Sequence, residues 1–273
     1  MSTQMVGNTF YAVLFSLLGG KDSGAEPSHS TIILLFAIYT CCVILGVILI
    51  TCGLEVPPEG ATTAASGSAD VPERDLTAVL RLLKQRKMWS LLPLVLSTGF
   101  MGSFVTADFT SKVVKPSVGM ENLGFVMAMV GAASVLANAI CGRLSDTVGG
   151  GSGRRVTIFL AALVLNCGVG VLLYFWVPEH DVWGAISAVG LAIGLSTAAG
   201  QTMLYAHLSA SWVGETGAAF ACSSGLTGLA QAVGFFVADL LPMKAMLLVG
   251  VPAQILGGVG FCLSVAWAAA DNK

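Results

Sequence analysis

The chain has 273 residues, of which 55% are hydrophobic and only 10% are charged. Soluble domains carry about 25% charged residues, so this composition excludes an ordinary soluble domain and indicates an integral membrane protein. The formal net charge is −2, and the sequence contains neither a basic tract suited to nucleic acid nor an acidic tail. We therefore expect the lipid bilayer to be its main partner, and we expect no binding to nucleic acid.

Apolar segments recur along the chain. A membrane-spanning helix needs about 20 mainly apolar residues, and about eight segments approach this length. The first two cover residues 4–18, which is the shortest, and 31–54. Six further segments cover residues 89–109, 123–141, 156–177, 182–207, 216–240 and 243–269. The connectors are mostly short, so the pattern predicts an all-α polytopic membrane protein whose consecutive helices pack antiparallel.

A polar linker separates the second and third spans. Residues 55–71 contain Pro57-Pro58 and a run of alanine, serine, threonine and glycine, which is typical of a flexible linker. Apolar residues then recur at helical spacing, with basic residues between them: Leu76, Val79, Leu80 and Leu83. This pattern predicts an amphipathic helix on the membrane surface, and the alternative is an extension of the next span. We therefore divide the chain into two spans at 1–54, a linker with a helix at 55–88, and a six-helix domain at 89–273.

Lysine and arginine residues concentrate on one side of the predicted membrane. With alternating spans, the linker side and the C-terminus hold Arg74, Arg81, Lys84, Arg86, Lys87, Arg143, Arg154, Arg155 and Lys273. The other side holds Lys21, Lys112, Lys115 and Lys244. Positive residues favour the cytoplasm, so the first side is predicted to be cytoplasmic, and with eight spans both termini are cytoplasmic. The protein is expected in the plasma membrane or an endomembrane.

The last six spans divide into two triplets of opposite orientation. The second span of the first triplet ends near Asp146 on the predicted cytoplasmic side, whereas the second span of the second triplet ends near Asp239 on the opposite side. Transporter folds are built from inverted repeats of this kind. The arrangement therefore favours a transporter-type helix bundle.

The connector between the spans at 123–141 and 156–177 carries a Gly-x-Leu-x-Asp-x-x-Gly motif ahead of paired arginines. The motif residues are Gly142, Asp146, Gly149, Arg154 and Arg155. This pattern resembles the signature loop that joins the second and third helices of each half in the major facilitator superfamily. The resemblance implies that the glycine permits close helix approach, while the aspartate and arginines lock one conformation. Thr147, in place of the usual basic residue, and the inserted glycine-rich run 150–153 imply that the arginines are held less firmly.

A second resemblance covers nearly the whole chain. Several stretches are similar, in order and spacing, to the fifth and the seventh to eleventh helices of the uncoordinated-93 (Unc-93-like) family, a branch of the same superfamily. They include Phe104-Val105-Thr106-Ala107-Asp108-Phe109-Thr110 in the seventh helix and Gly194-Leu195 with Gln201-Thr202 in the tenth. The resemblance implies that the chain corresponds to helices five to twelve of a twelve-helix protein. It favours a fragment over a working eight-helix protein.

The same resemblance implies a function. A member of this family is expected to be a non-enzymatic regulator or trafficking partner of other membrane proteins, such as potassium-channel subunits. The alternative is a major facilitator-type transporter of a small uncharged or amphipathic solute. The family commonly has an acidic residue after the Gly-Leu pair of the tenth helix, where this sequence has Ser196-Thr197. That departure weakens the case for coupling to protons or cations.

Ionisable and strongly polar side chains within spans are functional candidates because their burial is costly. Asp108 lies about one turn from the outer end of its predicted span. It is either an interfacial carboxylate close to Lys112 and Lys115, or a gate or ion contact at the mouth of a cavity. Amides in the spans most often hydrogen-bond between helices, and the candidates for cavity contacts are Asn138, Asn166 and Gln201, of which Asn138 and Gln201 are expected nearest a solute path.

Other residues point to packing rather than chemistry. Gly190, Gly194 and Ala198 form a small-residue stripe at four-residue spacing, which predicts close helix contact. All seven cysteines lie in or beside apolar segments, where cysteine usually packs as a small apolar residue. The three histidines are placed in loops or at span ends, and no His-Glu-x-x-His, Gly-x-Ser-x-Gly or phosphate-binding Gly-Lys-Ser/Thr motif occurs. We therefore expect no catalytic residue, no metal, no cofactor and no enzymatic activity.

Overall fold

The computed structural model describes residues 33, 37–38, 40–41, 44–49, 76–146, 152–176 and 182–271. Contacts divide the chain into two compact units, one within Leu14–Leu76 and one that holds the rest of the described chain. In the first unit, the described residues within the predicted span at 31–54 are helical. The predicted span at 4–18 and the linker at 55–71 lie outside the described residues.

The second unit is a bundle of helices. They are α1 (Leu76–Leu83), α2 (Arg86–Ser103), a π-helical segment (Phe104–Val114), α3 (Lys115–Val118), α4 (Met120–Asp146), α5 (Ser152–Phe175), α6 (Trp183–Ser211), α7 (Thr216–Ala238) and α8 (Met243–Asp271). Six stretches are long and apolar enough to cross a membrane, namely Arg86–Val118, Asn122–Ser145, Gly153–Phe175, Trp183–Ser211, Thr216–Ala238 and Met243–Ala270. The prediction of an all-helical polytopic membrane protein is confirmed for this part of the chain.

The first spanning helix continues beyond its predicted end at residue 109. The hydroxyl groups of Thr110 and Ser111 donate to main-chain carbonyls one turn earlier, at 2.7 and 2.6 Å, so both polar side chains have hydrogen-bond acceptors within the helix. Gly119, with a φ of 81°, ends the helix in a conformation that glycine adopts without steric cost. Lys112, which the sequence pattern places in a connector, therefore belongs to the helix.

α1 packs against the bundle through its apolar face. Leu82 is fully buried in a cluster that also contains Leu91 of α2, Leu208 of α6 and Trp212 just after α6. The Arg81 side chain remains largely exposed on the other face. Helix α1 thus covers the beginning of α2 and the end of α6 with its apolar side chains.

Two apolar clusters fill the bundle. One lies at the end where α4 stops and α5 begins, which we call the loop end, and includes Leu91, Phe159 and Leu208. The other lies at the opposite end, called the far end, and includes Phe109 and Leu247. Lipid is as apolar as the protein interior, so the hydrophobic effect does not drive these helices together. The packing contacts between the buried side chains hold the helices together instead.

The spanning helices pack as two triplets related by an approximate inverted repeat. The first triplet contains the helix that begins with α2, then α4 and α5, and the second contains α6, α7 and α8. α4 packs chiefly against α6, as α7 does against α2, and α5 packs against α6, as α8 does against α2. The two triplets expected from the sequence therefore share one pattern of contacts.

Two glycines occupy equivalent places in this repeat. A Cβ atom added at Gly194 would overlap the carbonyl oxygen of Val130 and lie 2.9 Å from the Cβ of Ala133 on α4. A Cβ atom added at Gly99 would overlap the carbonyl oxygen of Thr227 and lie 2.9 Å from the next alanine on α7. At both crossings the helix backbones touch directly, which is the close approach that small residues permit in membranes.

Candidate functional site

A layer of uncharged polar side chains crosses the middle of the bundle, where the two apolar clusters meet. On α8, Gln254 lies midway between Leu247 of the far-end cluster and Phe261 of the loop-end cluster. Thr98 on α2 and Asn166 on α5 occupy corresponding intervals on their helices. The layer therefore arises because α2, α5, α6 and α8 each interrupt their apolar faces at a similar height.

This layer surrounds a cavity of about 50 Å³ between α2, α5, α6 and α8. The lining combines apolar side chains with uncharged polar ones, the latter being Thr98, Asn166, Ser196, Thr197, Gln201 and Gln254. Two of the predicted contact residues, Asn166 and Gln201, are thus brought together on facing helices. Such a lining suits hydrogen bonding to a neutral molecule.

Asn138 lies outside the cavity lining, at the contact between α4 and α6. Its Oδ1 atom accepts a hydrogen bond from the Thr202 hydroxyl at 2.7 Å, and that hydroxyl also lies 2.9 Å from the Ala198 carbonyl. One turn nearer the far end, the Ser134 hydroxyl lies 3.1 Å from the carbonyl of Gly194. The Asn138 amide therefore joins two helices, as polar side chains in membrane bundles commonly do.

Asp108 lies in the π-helical segment near the far end, and its side chain is fully buried. It forms an ion pair with Lys112 one turn later, and the described residues provide no other donor to its oxygens. Lys112 also donates to the carbonyls of Ala238 at 2.9 Å and Leu241 at 3.1 Å, where α7 ends. A cation is favourable at a helix C-terminus, so Lys112 joins the buried carboxylate to α7.

The pair is therefore a tie between two helices of the bundle. Its i, i+4 spacing is visible in the sequence, but its burial is not. π-Helical turns are rare and occur often at functional sites, because they change the direction of side chains within a helix. Here the segment contains both the buried Asp108 and Lys112, which reaches α7.

The signature-loop residues lie at the loop end, apart from the cavity. Gly142 and Asp146 belong to the last turns of α4, Gly149 lies outside the described residues, and Arg154 and Arg155 lie in the first turn of α5. A Cβ atom added at Gly142 would meet no atom within 4 Å. The Arg155 guanidinium donates to the carbonyl of Ala206 on α6 at 3.4 Å.

Sequence reasoning missed two polar contacts at the same end. His207 lies inside α6 and is buried, and its Nε2 atom is 2.8 Å from the hydroxyl of Ser264 on α8. Its earlier placement at a span end was incorrect because α6 continues to Ser211. The Trp212 indole donates to the Gln85 side chain at 2.8 Å, which joins the end of α6 to the turn between α1 and α2.

Gln254 also lines the cavity, although the sequence pattern did not indicate it as a cavity contact. It is 6% exposed, and its Oε1 atom accepts no hydrogen bond from the described part of the protein. A carboxamide in the middle of the apolar segment 243–269 was the available signal. In the sequence, Gln254 is as conspicuous as the predicted contacts Asn138, Asn166 and Gln201.

The described residues contain no group of three or more His, Cys, Asp or Glu side chains that could hold a metal ion. Five cysteines in this part of the chain are unpaired thiols: Cys41, Cys141, Cys167, Cys222 and Cys262. The chemistry of the site is therefore that of amides and hydroxyls.

Comparison with known proteins gives a consistent result. A family model described as "Ion channel regulatory protein UNC-93" matches residues 1–262. "Protein unc-93 homolog A" from Bos taurus is 28% identical over 250 residues, which cover 91% of this chain and 51% of the relative. The protein of the same name from Xenopus laevis is 26% identical over 182 residues, which cover 63% of this chain and 38% of the relative. "UNC93-like protein 3" from Arabidopsis thaliana is 27% identical over 261 residues, covering 90% and 52%.

The chain thus spans about half the length of the curated relatives that it matches. The family match covers nearly all of the chain, including five of the six spanning helices, most of the sixth and the residues of the polar layer. The family expected from the resemblance of short stretches is confirmed, and the chain belongs to the UNC-93 family.

Proposed function

We propose that this chain forms the membrane-embedded part of a non-enzymatic protein that binds and regulates ion-channel subunits or other membrane-protein clients. The family model carries the description of an ion channel regulatory protein. A binding role is supported by the exposure of α7, which is the least buried of the six spanning helices. The described residues therefore leave a face of α7 uncovered, where another helix can pack.

The exposed face of α7 has the composition of a helix contact. Ser224, Gly228 and Ala232 are exposed at four-residue spacing, and a Cβ atom added at Gly228 would meet no atom within 4 Å. Beside them, Leu229 and Phe236 are 61% and 76% exposed. A stripe of small residues flanked by large apolar ones lets another helix approach closely in a bilayer. We propose that a transmembrane helix of the client packs here.

The test uses the full-length protein co-expressed with a potassium-channel subunit and measures how much channel co-purifies. Gly228→Leu should lower co-purification at least fivefold, because the leucine holds the partner helix away. Gly168→Leu on α5 is the matched control, since Gly168 is exposed and its added Cβ would also meet no atom within 4 Å. Equal channel recovery with both variants would contradict client binding at α7 and would assign that face to another part of the full-length protein.

The second candidate function is a carrier of a small uncharged or amphipathic solute. It is supported by the cavity, which places Gln201 and Asn166 on facing helices. The expected result is saturable uptake by the full-length protein in proteoliposomes, lost in Gln201→Leu and reduced in Asn138→Leu. Non-saturable flux across a broad panel of neutral solutes would eliminate the carrier, whereas saturable uptake without channel binding would eliminate the regulator.

We also propose that the loop end faces the cytoplasm. The described basic residues Arg81, Lys84, Arg86, Lys87, Arg143, Arg154 and Arg155 lie at that end or on α1 beside it. Lys112, Lys115 and Lys244 lie at the far end, so the excess of positive charge is on the loop side. Labelling of a cysteine placed at Gly153 by an impermeant thiol reagent applied outside intact cells would contradict this orientation.

A further inference from the structure

The cavity in the polar layer has a definite hydrogen-bonding character. Its polar lining is composed of amides and hydroxyls, and its remaining wall includes Leu94, Phe159 and Leu204. Ligand sites typically have this composition, with mainly apolar walls and a few well-placed polar groups. The uncharged polar groups favour a neutral ligand over an ion.

The polar groups are biased towards acceptors. Gln254 is 94% buried, lines the cavity and has an Oε1 atom without a donor among the described protein atoms. The Thr98 hydroxyl donates its proton to the Leu94 carbonyl at 2.8 Å, and the Ser196 hydroxyl donates to the Ile193 carbonyl at 3.1 Å. Both hydroxyl oxygens therefore retain lone pairs, and a buried acceptor without a donor costs about 1–3 kcal/mol.

The amides of Asn166 and Gln201 complement these acceptors. Each carries an NH₂ group that can donate to a ligand oxygen, and both side chains line the same cavity. A molecule that donates to Gln254 and accepts from a facing amide would satisfy both sides. A small primary amide has this combination of groups, and an alcohol has it in a weaker form.

We propose that this cavity is a binding site for one small neutral molecule with an N–H or O–H donor and a short apolar part, of the primary amide or alcohol class. A volume of about 50 Å³ accommodates roughly three to five non-hydrogen atoms, since a water molecule needs about 10–15 Å³ by the same measure. Water alone would satisfy Gln254 but would place further water against the apolar wall formed by Leu94, Phe159 and Leu204. An amphipathic molecule matches both parts of the lining.

This inference requires only binding, and it is separate from the proposed regulation of channels. It shares the cavity with the carrier hypothesis but does not depend on net transport. Failure of channel co-purification or of solute uptake would leave it intact. Failure of the binding experiment would leave the proposed regulatory role intact.

The experiment uses propionamide as the probe and the full-length protein in phospholipid nanodiscs. Saturation-transfer NMR from the protein to the propionamide methyl group is measured as the probe concentration is raised, with protein-free nanodiscs as background. We expect saturable binding with a Kd on the order of 1 mM, which is suitable for a ligand of five non-hydrogen atoms. A signal that rises linearly with concentration, or equals the background, would overturn the proposal and leave water as the occupant.

Three variants test the position of the site. Gln254→Leu removes the buried acceptor and should weaken binding about fivefold to tenfold. Gln231→Leu on α7 is the matched control, because Gln231 faces Gly102 and is not part of the lining. Unchanged binding in Gln254→Leu, or equal weakening in both variants, would refute the assignment.

Gly200→Leu provides an independent test if Gln254→Leu folds poorly. Gly200 lines the cavity, and a Cβ atom added there would meet no protein atom within 4 Å. The leucine should fill the cavity without displacing the helices and abolish the saturable signal. Retained binding in a folded Gly200→Leu protein would place the probe elsewhere and contradict the proposal.

Discussion

Gly194→Ala is expected to lower the stability of the bundle, although alanine is the better helix former by about 1 kcal/mol. The added methyl group would overlap the Val130 carbonyl oxygen and lie 2.9 Å from the Ala133 Cβ. Backbone atoms cannot move aside as a flexible side chain can, so α4 and α6 must separate. Overpacking of this kind costs about 1–3 kcal/mol, and separation of the helices would also weaken the hydrogen bond between Asn138 and Thr202.

The control is the same substitution on the same helix. Gly200→Ala adds the same methyl group six residues later, where it would meet no atom within 4 Å, so it should leave stability unchanged or raise it. Thermal unfolding in a fixed detergent should separate the two variants by several degrees. A Gly194→Ala protein as stable as Gly200→Ala would show that α4 and α6 do not touch backbone to backbone.

The inverted repeat extends this prediction to the other triplet. Gly99 makes the equivalent contact with Thr227 on α7. Gly99→Ala should therefore destabilise the protein by an amount close to that of Gly194→Ala. Unequal losses of stability would mean that the helices at one of the two crossings can separate more easily than those at the other, although the contact geometry is alike.

Lys112→Met is expected to be more destabilising than Asp108→Asn. Removal of Lys112 leaves a fully buried carboxylate whose oxygens have no other donor among the described residues. Breaking a buried ion pair in this way typically costs about 3–5 kcal/mol. Asp108→Asn should cost less, because Lys112 is 36% exposed and keeps the carbonyls of Ala238 and Leu241 as acceptors.

The double variant completes the test. Asp108→Asn combined with Lys112→Met removes both charges together, so its loss of stability should be smaller than the sum of the single losses. The difference between the sum of the single losses and the loss of the double variant, measured from detergent unfolding of all four proteins, should be roughly 0.5–3 kcal/mol. Additive losses would show that the two side chains do not interact, and equal single losses would contradict the difference in their burial.

Some features of the site were predictable from the sequence because they depend on local chemistry. The stripe of Gly190, Gly194 and Ala198 follows from four-residue spacing on one helix, which α6 realises with its small face towards α4. Asn166 and Gln201 were identifiable because an amide is conspicuous in an apolar segment. Their meeting at one cavity was not predictable, because it depends on how α5 and α6 rotate and cross.

Other features depended on contacts distant in the chain. The sequence leaves two interpretations of Asp108 open, and only the structure shows that it is fully buried in the π-helical segment and that its partner Lys112 reaches the end of α7. His207 was assigned to a helix end, but α6 continues past it and Ser264 of α8 provides a hydrogen-bonding partner. Both arrangements include a contact between helices that are more than 50 residues apart in the sequence: Lys112 with α7, and His207 with Ser264 of α8.

By itself, the sequence determined the membrane class, the positions of the six described spans, their alternation and the family. The class, positions and alternation of the spans depend on the length and composition of single segments, because a bilayer requires about 20 apolar residues per helix wherever that helix packs. The family follows instead from the resemblance of short stretches in their order and spacing. Only the tertiary structure decided which polar side chains face one another: Gln254, Asn166 and Gln201 at the cavity, and Asp108 with Lys112 beside α7. Neighbours within a bundle are set by helix rotation and crossing, and these depend on side-chain packing between segments that the linear pattern does not connect.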